Sequence, residues 1–192
     1  DPLKNLQGRS AVLDVHASDS TGRKFDIEIQ RANKGAGSKR ARYNSSLLDA
    51  HILKPGESTD NMPDSYVIFI TENDVMKADL PIYHIDRVVK ETGKLFKDEA
   101  HIIYVNSQIK DETKLGRLMH DFSCTDAKDM YNKVLADRVR YFKEDERGVE
   151  IMCREMEIMR NQAHEEGVEI GIKKGRMLQL IKQVCAKMQK FS

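Results

Sequence analysis

The sequence predicts an α/β fold: a mixed β-sheet flanked by helices, followed by a helical C-terminal extension. Three observations carry this. Two stretches near the start alternate apolar and polar residues around a glycine turn, a continuous apolar run of strand length follows a helical segment, and the signal from about Asp111 onward is helical.

The first strand is Val12-Leu13-Asp14-Val15-His16, and its partner is Phe25-Asp26-Ile27-Glu28-Ile29-Gln30. The loop Ser20-Thr21-Gly22 places glycine where a type I turn closed by a bulge needs a left-handed residue. In that register Asp19 pairs with Arg23, and Asp14 lies opposite Glu28. A two-residue loop would put Asp14 opposite an isoleucine and mix polar with apolar faces. The three-residue loop keeps them apart: Leu13, Val15, Phe25, Ile27 and Ile29 share one face, and Asp14, Asp26, Glu28 and Gln30 share the other.

A loop with Gly35 and Gly37 comes next. Ser38 is placed to N-cap a helix reaching about Leu53, with Tyr43, Leu47 and Ala50 on one face. Lys54-Pro55-Gly56 ends it. Tyr66-Val67-Ile68-Phe69-Ile70 fits a buried central strand reached by that helical crossover. Tyr83-His84-Ile85-Asp86 and His101-Ile102-Ile103-Tyr104-Val105 are further strand candidates. Near the C-terminus, Val149, Met152, Met156, Met159 and Ala163 have the alternating three- and four-residue spacing of a helical seam. Gly167, Gly171 and Gly175 then recur every four residues. Glycines inside a helix cost about 1 kcal/mol each relative to alanine, so either a second helix approaches this stripe or the tail frays. The first alternative makes the helix over 149–190 a candidate for homo-oligomerisation.

The chain has 192 residues, enough for one sizeable domain with an appendage. No apolar run approaches the roughly 20 residues that span a bilayer, and no signal-peptide pattern is present. The three cysteines, Cys124, Cys153 and Cys185, are far apart, which argues against a disulfide framework. No Cys/His cluster has zinc-ligand spacing. This composition predicts a cytoplasmic protein without a membrane partner. Net charge is +1, but residues 1–54 hold ten Lys/Arg against six Asp/Glu, with the excess mainly in Arg31, Lys34, Lys39, Arg40 and Arg42.

Like charges directly opposite each other destabilise a hairpin. Two carboxylates so placed can instead converge on Mg²⁺ or Mn²⁺, which would turn repulsion into attraction and lower the pKa of a bound water. An ordinary half-exposed hairpin with its polar residues outward fits the same alternation. His16, opposite Asp26, reads as a supporting group or a surface pair. His51, His84, His101, His120 and His164 share no spacing and read as structural.

Asp14, followed after thirteen residues by Glu28-Ile29-Gln30, resembles the PD-(D/E)XK nuclease signature. More closely, Leu13-Asp14-Val15, Ile27-Glu28-Ile29-Gln30-Arg31 and Arg40-Ala41-Arg42-Tyr43 are similar to the Rpn-type branch, the recombination-promoting nucleases or PD-(D/E)XK nuclease family transposases. Leu80-Pro81-Ile82-Tyr83-His84, Ile103-Tyr104-Val105-Asn106, Met119-His120-Asp121-Phe122 and the stretch over 166–175 extend the likeness over nearly the whole chain. The resemblance implies a restriction-endonuclease-like core over 1–122 and a helical C-terminal region over 123–192. The family's first core helix does not fit in the ten or so residues before the hairpin.

For function, the resemblance implies a metal-dependent DNA endonuclease that hydrolyses phosphodiester bonds in recombination or transposition. Asp14, Glu28 and Gln30 would be its catalytic residues. Asp14, Glu28 and the Ile29 carbonyl would hold Mg²⁺ or Mn²⁺. Gln30 stands where many members carry a lysine; it brings no charge but can orient a water. Lys39, Arg40, Arg42 and Tyr43, on the helix flanking the site, would contact DNA. Arg40 and Arg42 project about 200° apart on a helix, whereas Arg40, Tyr43 and Asn44 share a face. Arg40 and Tyr43 should therefore line the site, with Lys39 or Arg42 nearer the DNA backbone. Cations at a helix N-terminus oppose the macrodipole, which favours a functional reason for them. Such phosphate contacts give affinity without sequence preference. The alternatives are a catalytically inactive protein of the same fold that binds nucleic acid or a protein partner, and an assembly module built on the C-terminal helices.

Overall fold

The computed structural model describes residues 2–3, 11–12, 15–30, 35–53 and 56–188. Its contacts divide the chain into two units, 1–124 and 125–192.

The first unit runs β1 (Pro2–Leu3), β2 (Ala11–Val12), β3 (Val15–Ser18), β4 (Lys24–Gln30), α1 (Ser38–Ile52), β5 (Ser65–Thr71), β6 (Ile82–Ile85), β7 (Val88–Val89), β8 (Lys94–Leu95), β9 (Ala100–Asn106) and α2 (Lys114–Ser123). Its main sheet has five strands in the order β3-β4-β5-β9-β6. β3 is antiparallel to β4, β4 and β5 are parallel, β5 and β9 are parallel, and β6 is antiparallel to β9. α1 is the crossover between the parallel strands β4 and β5, so the mixed α/β fold class is the predicted one. The pairs β1–β2 and β7–β8 form separate two-stranded ribbons.

The hairpin has the predicted register. Val15 pairs with Ile27, His16 with Asp26, Ala17 with Phe25 and Ser18 with Lys24. Gly22 takes φ +93°, the left-handed conformation the bulged turn needs. The Asp19 carboxylate ties the loop together: Oδ1 accepts from the Thr21 amide at 2.9 Å, the Thr21 hydroxyl at 2.7 Å and the Arg23 amide at 3.0 Å, and Oδ2 from Arg23 Nε at 2.6 Å. Asp14, expected to face Glu28, lies outside the described residues, as do Arg31 and Lys34.

The two faces of β4 separate as expected, but the covered one is the polar one. Asp26 and Glu28 are fully buried, whereas Val15 and Ile29 on the apolar face are 45% and 50% exposed. This corrects the picture of a half-exposed hairpin with polar residues outward. The reason is α1, which packs over the acidic face. Its buried stripe is Ala41, Asn44, Ser45, Leu47 and Leu48, small or polar near the carboxylates and apolar beyond them. The expected stripe is therefore displaced: Leu47 is buried, Tyr43 is half-buried and Ala50 is exposed. Gly37, not Ser38, is the N-cap.

Under α1 the core gathers Ala36, Ala41, Leu48, Val67, Phe69 and Tyr104. The Phe69 and Tyr104 rings stack at 5.4 Å, and the Tyr104 hydroxyl donates to the Ala36 carbonyl at 2.8 Å, pinning the loop before α1 to β9. On the opposite face, Phe25, Tyr66 and His101 stack across three strands at 5.1 and 4.7 Å.

The second unit holds α3 (Lys133–Glu144) and α4 (Glu146–Met188), packed against each other. Asn132 caps α3, its Oδ1 accepting from the Val134 and Leu135 amides at 3.0 and 3.2 Å. α4 is one helix of 43 residues. Of the predicted seam, Val149 and Met152 are half-buried while Met156 and Met159 are exposed. Among the described residues, nothing lies within 4 Å of where a Cβ on Gly167 would sit. Among the described residues no helix is long and apolar enough to cross a membrane.

Candidate active site

The strand period sets Asp26, Glu28 and Gln30 on one side of β4, facing α1. Burying two neighbouring carboxylates is costly unless donors or cations meet them. α1 supplies both. Arg40 and Asn44 are four residues apart and so stand one above the other over β4. Asn44 Nδ2 donates to Asp26 Oδ2 at 3.2 Å and to Glu28 Oε1 at 3.3 Å. Arg40 Nη2 donates to Glu28 Oε2 at 2.5 Å, and its guanidinium lies 5.9 Å from the Phe69 ring centroid. Gln30 Nε2 approaches Glu28 Oε2 at 3.4 Å. Both oxygens of Glu28 are thus held in a fixed orientation, while the Arg40 side chain keeps 41% exposure.

The loop entering α1 presses against this group. Gly35 has φ +132°, and a Cβ there would sit 2.4 Å from Gln30 Oε1 and 3.0 Å from Arg40 Nη1. The positive φ favours glycine, and a side chain there would push the ends of Gln30 and Arg40 aside. At the strand ends, Gln30, Thr71 and Asn106 align in register across β4, β5 and β9, and Thr71 and Asn106 are buried.

Of the residues singled out from the sequence, the structure brings Glu28, Gln30 and Arg40 together. Tyr43 is half-buried on α1, and Lys39 and Arg42 are exposed near its start. The Ile29 side chain points to the opposite face. Asp14 lies outside the described residues. Three members of the site have no site role in the sequence pattern alone: Asp26 reads as a polar-face residue opposite His16, Asn44 as sharing a face with Arg40 and Tyr43, and Gly35 as a loop glycine. The signals were present, in the Asp26-x-Glu28 alternation and the four-residue step from Arg40 to Asn44.

The donor set fits a hard divalent cation. Carboxylate oxygens are the ligands that Mg²⁺ and Mn²⁺ prefer. Ionised, the two carboxylates would carry two negative charges, of which Arg40 would offset one.

A family model described as PD-(D/E)XK nuclease family transposase matches residues 3–165. The chain belongs to this family. The match runs from β1 into α4 and includes the whole carboxylate site. Membership places the chain in a nuclease superfamily, with an activity related to transposition, and PD-(D/E)XK nucleases generally use divalent metals. No curated protein and no solved structure gives a significant match.

Proposed function

We propose that the protein is a metal-dependent DNA endonuclease that hydrolyses phosphodiester bonds during recombination or transposition. The observation that carries this reading is Glu28, a fully buried carboxylate beside a second one, Asp26, and caged by Asn44, Arg40 and Gln30. Asp14, Glu28 and the Ile29 carbonyl are the proposed ligands of Mg²⁺ or Mn²⁺. When bound, the ion would supply a water of lowered pKa and offset charge on the phosphoryl group.

The chain's own residues then divide the remaining work. Asn44 fixes the Glu28 carboxylate. Gln30, held beside Glu28 and Gly35, offers an amide that can orient the attacking water. Arg40 is bonded to Glu28, so a cation held there would compete with it for that carboxylate, and the exposed part of Arg40 can pair with a phosphate. Lys39, Arg42 and Tyr43 are the proposed DNA contacts on the same helix. In the same proposal the nuclease core is 1–122, the helix over 149–190 is the homo-oligomerisation element, and the compartment is the cytoplasm. One observation favours a second reading: the Arg40–Glu28 ion pair satisfies Glu28 without a metal, as an inactive DNA- or protein-binding relative would need.

Melting temperature followed through a Mg²⁺ titration separates the two. A ligand that binds only the folded state raises stability with its concentration. The wild type should melt higher with Mg²⁺ and Asp14→Ala should not respond; an unresponsive wild type refutes the metal site.

A further inference from the structure

α2 ends in a cluster that the carboxylate site does not use. Cys124 is the C-cap of α2, its N–H bonded to the Asp121 carbonyl. One turn back lies His120, and next to it Asp121, whose side chain is fully buried. His120 Nδ1 is 3.4 Å from Cys124 Sγ and 3.4 Å from Asp121 Oδ1. One ligand atom from each of the three residues falls within 4.8 Å of the others. His120 is about one-third exposed and Cys124 half-buried, which leaves the cluster open on one side.

We propose that His120, Asp121 and Cys124 form a transition-metal site, taking Zn²⁺ or a similar borderline-soft divalent ion. The distances fit. With zinc–nitrogen and zinc–oxygen bonds of about 2.0–2.2 Å and a zinc–sulfur bond of about 2.3 Å, the edges of a ligand tetrahedron come to about 3.4–3.6 Å. The imidazole–thiol and imidazole–carboxylate separations are already of that length.

The placement of Asp121 points the same way. A carboxylate in the last turn of a helix lies at the negative end of the macrodipole, where a bound cation is favoured. The rival arrangement is a Cys-His-Asp nucleophile, in which thiol and carboxylate would occupy opposite ring nitrogens. Here both approach Nδ1, while Nε2 is the farther nitrogen from Sγ, at 3.9 Å. Groups that converge on one point suit a cation better than a proton relay. A thiolate and an imidazole also select Zn²⁺ or Co²⁺ over Mg²⁺, and three protein ligands leave a fourth position open. All three ligands come from one helical turn, a spacing unlike the paired motifs by which zinc sites are read from sequence, so His120 passed there as structural.

Co²⁺ titration of the metal-free full chain, followed by absorption, tests this. The wild type should develop a thiolate-to-cobalt charge-transfer band and the intense d–d bands of a tetrahedral site, the two saturating together. Zn²⁺ should abolish the bands and excess Mg²⁺ should not. Cys124→Ala should remove the charge-transfer band. His120→Ala, at a partly exposed position, should weaken binding by more than the roughly tenfold cost of losing even an outer-shell partner. Cys153→Ala should bind like the wild type, and because a carboxylate site has no thiolate to give a charge-transfer band, the readout is independent of the carboxylate site. Absence of the band in the wild type, or its survival in Cys124→Ala, would overturn the proposal.

Discussion

Asn44 is the side chain that serves both buried carboxylates, and its removal can be worked through in numbers. Asn44 is 2% exposed and its single amide nitrogen serves both Asp26 and Glu28. A hydrogen bond to a charged group contributes about 1.5–3 kcal/mol, and the two here, at 3.2 and 3.3 Å, belong at the low end. Asn44→Ala should therefore cost about 3 kcal/mol, including a small cavity term. For a chain of 192 residues that corresponds to a fall in melting temperature of about 10 °C. Asn44→Leu fills the space but donates nothing, so it should lose nearly as much. Thermal unfolding by circular dichroism without divalent metal reads both. If Asn44→Leu melted within about 2 °C of the wild type, the carboxylates would not depend on this donor and the reasoning would fail.

Two further outcomes follow from the hairpin and its neighbouring loop. The Thr21 hydroxyl, Arg23 and their amides hold the Asp19 carboxyl down at about 2, against an ordinary 3.8. A lowered pKa gives stability that is present above the ordinary value and is lost as pH falls through the folded one. The wild type should thus lose more melting temperature than Asp19→Asn between about pH 4 and pH 2; parallel profiles would contradict this. Gly35→Ala combines a left-handed backbone with a 2.4 Å approach to Gln30 Oε1. It should destabilise by about 1–3 kcal/mol and abolish nicking of supercoiled plasmid, and an unchanged melting temperature and activity would contradict that.

The hairpin was legible because its loop chemistry is local. Gly22 and the alternation around it fix which residues pair, and four observed pairs follow that register. The central strand was legible because a continuous apolar run suits burial on both faces, and β5 pairs in parallel with both β4 and β9. Periodicity separates two faces of a strand but does not say which one is covered. That depended on α1, whose buried stripe carries Asn44 and Ser45, residues an apolar pattern passes over. The same limit hid Asp26. A buried carboxylate is expensive alone, so its burial follows only once Asn44 is placed above it. The cluster of His120, Asp121 and Cys124 escaped for a different reason: two of its members are sequence neighbours whose side chains converge only through the geometry of a helix end.

Plasmid nicking by the wild type and by Glu28→Gln, with and without Mg²⁺, tests the central claim most directly. Glutamine keeps the shape of Glu28 and removes its charge, so circular dichroism of both proteins should match. The account predicts nicking by the wild type that EDTA stops, and none by the folded variant. Equal nicking by the two proteins, or nicking that survives EDTA, would contradict it.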